Sequence, residues 1–255
     1  MGTSMKKTAV VTGASAGIGA ATARALAGAG FDLYLGARRV DRLNEVAGPI
    51  GAAALELDVT DAASVAAFVA RLPAEVHLLV NNAGLAYGLD RIEAARDEDW
   101  IGMWETNVLG VLRVTRALLP ALRASKDGHI VNLGSIAGFE SYVGGAGYTG
   151  TKHALRSFTR TLRLELVGEP VRVTEIAPGI VETEFSMVRF AGDVERAKSV
   201  YRGLEPLVAE DIADCVVWAA TRPSHVNIDE IVVRPRDQAT AQVVHRRDPA
   251  QVQPK

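Results

Sequence analysis

At 255 residues, with 48% hydrophobic and 23% charged side chains, the chain is sized for one α/β domain and requires no second core. A formal charge of −2 gives no electrostatic reason to expect nucleic acid or an anionic membrane as partner, and no window reaches the ~18 apolar residues of a membrane span. The single cysteine, Cys215, excludes an intrachain disulfide, suits a reducing, cytoplasmic compartment and reads as a packing residue in an apolar helix.

Lys6 and Lys7 precede an apolar run broken by Thr12 and Gly13, which predicts a first strand over Thr8–Val11 and not a signal peptide. Met5 is as good a start as Met1, so residues 1–4 are set aside. The strand runs into Thr12-Gly13-Ala14-Ser15-Ala16-Gly17-Ile18-Gly19, which opens an alanine-rich helix reaching Gly30. A strand, a glycine turn and a helix in that order bring backbone N–H groups to the positive end of a helix, where a pyrophosphate binds. Asp32–Leu35 reads as a second strand and Ala53–Leu57 as a third, followed by a short helix over Ser64–Leu72 offering Ala66, Ala67, Val69 and Ala70 to the sheet.

Leu78–Val80, His129–Leu133, Val171–Ile176 and Ile228–Val233 are the remaining predicted strands. Near-continuous apolar runs separated by helical patterns imply a doubly wound parallel sheet with helices on both faces. Gly134–Gly147 carries five glycines, and Thr183–Arg202 has no clean period. Both are predicted to be irregular and to emerge beyond the carboxyl ends of the strands, where such sheets bind ligands. The single domain is expected over residues 1–235, with a polar tail over 236–255 that is disordered or docked on a neighbouring subunit.

Between these irregular stretches lies Tyr148-Thr149-Gly150-Thr151-Lys152, at the head of a helix whose Ala154, Phe158, Leu162 and Leu166 recur every fourth residue. Residues four apart share a helix face. Lys152 is therefore expected to place a cation near the Tyr148 hydroxyl and ease its ionisation from an ordinary pKa near ~10. Of the five tyrosines, only Tyr148 has a lysine four residues on. Tyr142, Phe139, Met187, Phe190 and Tyr201 are candidate pocket walls, Arg189 and Arg202 candidate partners for a carboxylate, and no metal-ligating set is read.

The glycine turn, Asn81-Asn82-Ala83-Gly84, Ser135, Tyr148 with Lys152, and Pro178-Gly179 stand in the order and spacing of the short-chain dehydrogenase/reductase family, which the chain resembles over about residues 5–235. The resemblance implies a Rossmann fold. It also implies a cofactor held by Gly13, Ser15, Gly17, Ile18 and Gly19 at the pyrophosphate and ribose, and by Asp58 and Val59 at adenine. Asn82, Ala83 and Gly84 would form the turn beside it, and Pro178, Gly179, Ile180 and Thr183 would flank the nicotinamide. It implies a catalytic set of Asn107, Ser135, Tyr148 and Lys152, with Lys152 also on the ribose and Asn107 linking it to a proton path. A homotetramer is expected on the same ground. Read singly, Asn107 is a locally satisfied polar residue and Asp58 a helix cap.

The residues after the second strand, Gly36-Ala37-Arg38-Arg39, include no acid at the strand end, and Asp41 is better placed to cap the next helix. An arginine there pairs with the extra phosphate of NADP, where a carboxylate would select NAD. NADP is therefore the expected cofactor, with Arg38 favoured over Arg39 and Ser15 adding a hydroxyl. The carboxyl end, Ile228-Asp229-Glu230-Ile231-Val232-Val233-Arg234-Pro235, resembles the branch of NADP-dependent 3-hydroxy acid (serine-type) and clavulanate-type dehydrogenases. The expectation is an NADP-dependent enzyme interconverting a small carbonyl and its alcohol with Tyr148 as general acid/base. The alternatives are a 3-oxoacyl-thioester reductase and a catalytically silent dinucleotide sensor.

Overall fold

A computed structural model describes residues 6–247. Met1–Ser4 and the last eight residues of the polar tail lie outside them. Seven strands form one parallel sheet: β1 (Thr8–Thr12), β2 (Asp32–Ala37), β3 (Ala53–Glu56), β4 (Leu78–Asn81), β5 (Gly128–Leu133), β6 (Val171–Pro178) and β7 (Glu230–Val233). Their order is β3-β2-β1-β4-β5-β6-β7, so the winding reverses between β1 and β4 and opens a crevice at their carboxyl ends. β1, β4, β5 and β6 are buried along their whole length, as continuous apolar runs require.

Nine α-helices lie among the described residues: α1 (Gly17–Gly28), α2 (Val40–Ala47), α3 (Ala62–Val69), α4 (Asp97–Trp104), α5 (Val111–Ala124), α6 (Ala146–Glu165), α7 (Phe185–Arg189), α8 (Val194–Ser199) and α9 (Ala209–Ala220). On one face α1 packs against α9 over a core that includes Leu26, Leu35 and Ile212. On the other, Phe68, Leu118 and Leu162 from α3, α5 and α6 close over Val10, Leu79 and Ile130. A π-helical turn over Glu105–Gly110 joins α4 to α5 and carries the buried Asn107.

The structure shifts several expectations. β2 and β6 run two residues beyond their predicted ends, because Gly36–Ala37 and Ala177–Pro178 continue the pairing with β3 and β7. The buried face of α3 is Val65 and Phe68, while Ala66, Ala67 and Ala70 are exposed; bulkier side chains gain more by burial than alanine. The cap of α3 is Asp61, whose carboxylate accepts from Ala63 N, and Asp58 instead folds its carboxylate onto Thr60. Asp41 sits in the first turn of α2, behind an N-cap at Arg39 that has no side-chain bond.

The buried face of α6 runs through Thr151, Lys152, Leu155, Thr159 and Leu162, one residue out of phase with Ala154 and Phe158. Asn132 on β5 donates to Thr159 Oγ1 at 2.9 Å and accepts from Asn81 Nδ2 at 2.9 Å, which draws that polar face inward. Thr183–Arg202, expected to be irregular, holds α7 and α8. The tail is folded onto its own chain as far as Arg247: Gln238 is buried, its Oε1 accepts from Ile180 N at 2.8 Å, and Arg247 pairs with Asp237 at 2.5 Å.

Candidate active site

The crevice over the winding reversal is a cleft of about 780 Å³. At its middle the glycine turn crosses from β1 to α1. Gly13 has φ +65°, and a Cβ there would lie 2.8 Å from Ala83 Cα, so the turn and the Asn82–Gly84 segment touch backbone to backbone. Gly19 lies behind the cleft wall, where a methyl group would strike Gly13 O and the Asn82 amide. Thr12 Oγ1 accepts from Asn82 N and Ala83 N at 3.1 Å each, and Asn82 Nδ2 donates to Thr12 O and Gly13 O. Asn82 is thus a cross-brace between two crevice walls. The N-terminus of α1 carries no side-chain cap, leaving its amides to the cleft, where Gly13, Ser15, Gly17 and Ile18 line the wall.

At one end of the cleft stand Arg38, Arg39, Asp58 and Val59. Arg39 Nη2 donates to Ser15 Oγ at 3.3 Å, and its Nη1 meets Glu184 at 3.0 Å. Arg42 Nη1 meets the same carboxylate at 2.8 Å. Hydrogen bonds and charge from these two arginines hold the Glu184 carboxyl below its ordinary range, Arg39 foremost. The Arg38 charge is felt by Asp58 instead. The sequence favoured Arg38 beside Ser15; the geometry puts Arg39 there.

At the other end β5 stops at Leu133, and Ser135 caps the short turn that follows, accepting from Ala137 N at 3.1 Å. The head of α6 brings Tyr148 against it. A hydrogen bond with Ser135 and the charge of Arg189 pull the phenol pKa down, but burial outweighs both and holds it well above its ordinary value. Lys152 is buried, and its Nζ donates to Leu133 O at 2.7 Å and lies 5.8 Å from the Tyr148 ring centroid. Desolvation pulls its pKa down to about 8. Two cations thus stand at the phenol ring, Lys152 Nζ at 5.8 Å and Arg189 Cζ at 5.6 Å from its centroid.

Asn107 does not reach the cleft. Its Oδ1 accepts from Leu85 N and its Nδ2 donates to Leu85 O, both at 2.8 Å, and to Thr151 Oγ1 at 3.1 Å. Those bonds pin the chain after β4 to α6, with Gly84 between Asn107 and Lys152. Pro178, Gly179, Ile180 and Thr183 line the cleft, and so do Tyr142, Phe190 and Tyr201 of the expected pocket wall. Phe139 is instead stacked by Arg156 and Arg234, and neither Met187 nor Arg202 lines the cleft.

Four residues escaped the sequence reading. Glu184 closes over the arginine end, and Gln238 and Arg246 bring the tail to the cleft rim. The fourth, Glu175, is a buried acid within the apolar run of β6, a signal visible in the sequence. It lies under Gly134 beside Arg156, at 3.7 Å. Burial pushes its carboxyl up, opposed by Arg156 and more weakly by Lys152.

A glycine-lined crevice at the winding reversal, with an uncapped helix N-terminus facing it, defines a dinucleotide-binding α/β protein. Residues 7–193 match the short chain dehydrogenase family, and the chain belongs to it. It is 60% identical over 236 residues to an uncharacterised oxidoreductase of Mycobacterium tuberculosis, covering 92% of this chain and 94% of that one. It is 44% identical to an NADP-dependent 3-hydroxy acid dehydrogenase of Schizosaccharomyces pombe, covering 94% and 97%. Among solved structures it resembles the closed form of a serine dehydrogenase complexed with NADP+, with a TM-score of 0.89, 41% identity, and coverage of 94% and 100%.

Proposed function

We propose that this chain is an NADP-dependent oxidoreductase that interconverts an alcohol and its carbonyl, with a small 3-hydroxy acid as the substrate class. The observation that carries the reading is the pairing of Tyr148 with Ser135 at one end of a cleft whose other end holds Arg38, Arg39 and Ser15. The relatives named for NADP and for 3-hydroxy acids support it.

The residues present fit the cofactor: the glycine cradle and uncapped α1 suit a pyrophosphate, and the arginine end suits a further phosphate. Gly13, Gly17 and Ile18 would hold the first, with Gly19 shaping the turn. Arg39 with Ser15, flanked by Arg38, would hold the second. Asp58 and Val59 would border adenine, Asn82, Ala83 and Gly84 the ribose side, and Pro178, Gly179, Ile180 and Thr183 the nicotinamide. When bound, the nicotinamide supplies or accepts the hydride.

The side chains supply the rest. Burial keeps Tyr148 protonated, so in the reducing direction its hydroxyl donates a proton to the substrate oxygen. Ser135 hydrogen-bonds that oxygen where negative charge develops. Lys152, charged below about pH 8, compensates the phenolate that Tyr148 leaves behind. Asn107 fixes the wall behind both by clamping Leu85 to Thr151. Apolar side chains exposed on α4, α5 and α6, including Ile101, Leu112 and Leu164, support the homotetramer.

The test is NADPH and NADP+ turnover over a panel of aldehydes, ketones, hydroxy acids and alcohols, with Tyr148→Phe beside the parent. The variant should lose ~10²–10⁴-fold in kcat while binding NADPH normally. Retention of more than about a tenth of the parent rate would reject Tyr148 as proton donor.

A further inference from the structure

Arg189 stands in the cleft with no acidic partner among the described residues. Of the other arginines that line the cleft, Arg39 sits on the Glu184 carboxylate and Arg246 donates from its Nη1 and Nη2 to the Val200 and Arg202 carbonyls, while Arg38 lies at the far end beside Asp58. Arg189 ends α7 and is half-buried. Its Nε donates to Gly88 O at 3.0 Å, and its Nη2 donates to the Tyr142 hydroxyl at 2.9 Å. A guanidinium has five N–H donors, so these two bonds fix its plane and leave three donors, both of Nη1 among them. Its Cζ lies 5.6 Å from the ring centroids of both Tyr142 and Tyr148. Leu89, Phe185 and Phe190 line the same cleft, and Phe185 lies 5.5 Å from the Tyr148 ring, centroid to centroid.

A held cation with an open donor edge beside the proton donor fits an anion carried by the substrate itself. We propose that Arg189 binds the carboxylate of the substrate and so selects short hydroxy and oxo acids, a proposal that rests on the reading of Tyr148 as proton donor. The planar fork matches a carboxylate in two-point contact. With its Cζ 5.6 Å from the Tyr148 ring centroid, the guanidinium suits a carboxylate a few carbons from the carbon whose oxygen meets Tyr148. A 3-hydroxy acid has that spacing. A long-chain thioester, which has no free carboxylate there, leaves the donors unfilled. Tyr142 acts as a positioning residue, holding the fork in the plane the substrate needs.

The experiment compares 3-hydroxybutanoate with its methyl ester, using the full-length parent, Arg189→Met and Arg189→Lys. The parent should prefer the acid. Arg189→Met should lower kcat/KM for the acid by about 10- to 100-fold, mainly through KM, because a charge-assisted hydrogen bond is lost. Because the Arg189 charge also acts on the Tyr148 phenol, kcat should fall for both compounds, but the acid should lose about 10-fold more than the ester, and NADPH affinity should change less than about twofold. Arg189→Lys should recover part of the loss, keeping the charge without the fork. An equal fall for acid and ester would reduce Arg189 to a brace for Gly88 and Tyr142 and overturn the proposal. Turnover of the ester by the parent without preference for the acid would overturn it and leave the oxidoreductase reading standing. No turnover of either compound, or of any other carbonyl compound, would overturn both. If Arg189→Met fails to fold, inhibition of the parent by propanoate but not by propanamide supports the proposal, and equal inhibition rejects it.

Discussion

Glu184 holds, with its own carboxylate, the Arg39 that the proposed function gives to the phosphate of NADP, together with the neighbouring Arg42. Its oxygens lie 3.0 Å from Arg39 Nη1 and 2.8 Å from Arg42 Nη1, and all three side chains are about half exposed. Exposed ion pairs contribute about 0.2–1 kcal/mol each, so breaking both to admit a phosphate costs about 0.4–2 kcal/mol. At 1.4 kcal/mol per decade, Glu184→Gln should therefore tighten NADPH binding by about 2- to 30-fold at low salt. NADH has no phosphate to compete at that position and should change less than about twofold. Near 1 M salt, where screening acts over about 3 Å, the advantage should shrink toward nothing. Titration of nicotinamide fluorescence with both cofactors over a salt series measures all three effects. Unchanged or weaker NADPH binding, or an equal gain for NADH, would refute the competition and make Glu184 an aid to arginine placement.

Two further outcomes concern pH. Lys152 titrates near pH 8 in the folded chain, below its ordinary 10.5, so the charged form that supports Tyr148 is lost as pH rises through that value. The pH profile of kcat/KM should fall above about pH 8, and a flat profile to pH 10 would contradict the role. The same depressed value means that the unfolded chain binds more protons than the folded one between 8 and 10.5, so the Lys152 contribution to stability rises with pH there. His129 is buried, with Nε2 2.7 Å from Thr174 Oγ1; burial foremost, and then the Arg172 charge, drive its pKa from 6.5 to about 3. Its neutral ring favours folding above pH 6.5, and that contribution is lost as pH falls toward 3. Urea unfolding at pH 5 and 7 should show a smaller acid loss for His129→Leu than for the parent, and equal slopes would assign the acid sensitivity elsewhere.

The strands were legible because a strand buried on both faces needs an unbroken apolar run, as Leu78–Val80 and His129–Leu133 have. Tyr148 with Lys152 and the glycine turn were legible because each lies in a short local pattern, whereas Ser135 stood out only through the resemblance that sets these motifs in register. The contacts that complete the site were not. Glu184 reaches Arg39 across 145 positions and Arg42 across 142, and Gln238 reaches Ile180 across 58. Nothing local in a polar tail signals that one glutamine amide will hold the segment after β6. Alanine-rich faces misled for a related reason. An alanine tolerates either side of a helix, so the larger Phe68 and Val65 decide which face of α3 turns inward. Lys152 taught a different lesson, since spacing placed it one turn from Tyr148 but did not show that its ammonium is held by Leu133 O.

The π turn at Glu105–Gly110 behaves as a phase shifter in an otherwise continuous helical rod. An α-helix advances about 100° per residue, so one surplus residue rotates everything before it relative to everything after it by roughly that angle. Ahead of the turn, α4 presents Met103 and Trp100 to Gly147 at the head of α6. Behind it, α5 presents Val114 and Leu118 to the sheet. At the turn itself the Asn107 amide meets Leu85 and Thr151. A straight helix of the same length cannot satisfy all three directions at once. Deleting one residue there would mend the backbone ladder and turn either α4 off the tyrosine helix or α5 off the core. The local irregularity is therefore what allows one rod to serve two masters, and shortening it would sacrifice the site for the sake of the helix.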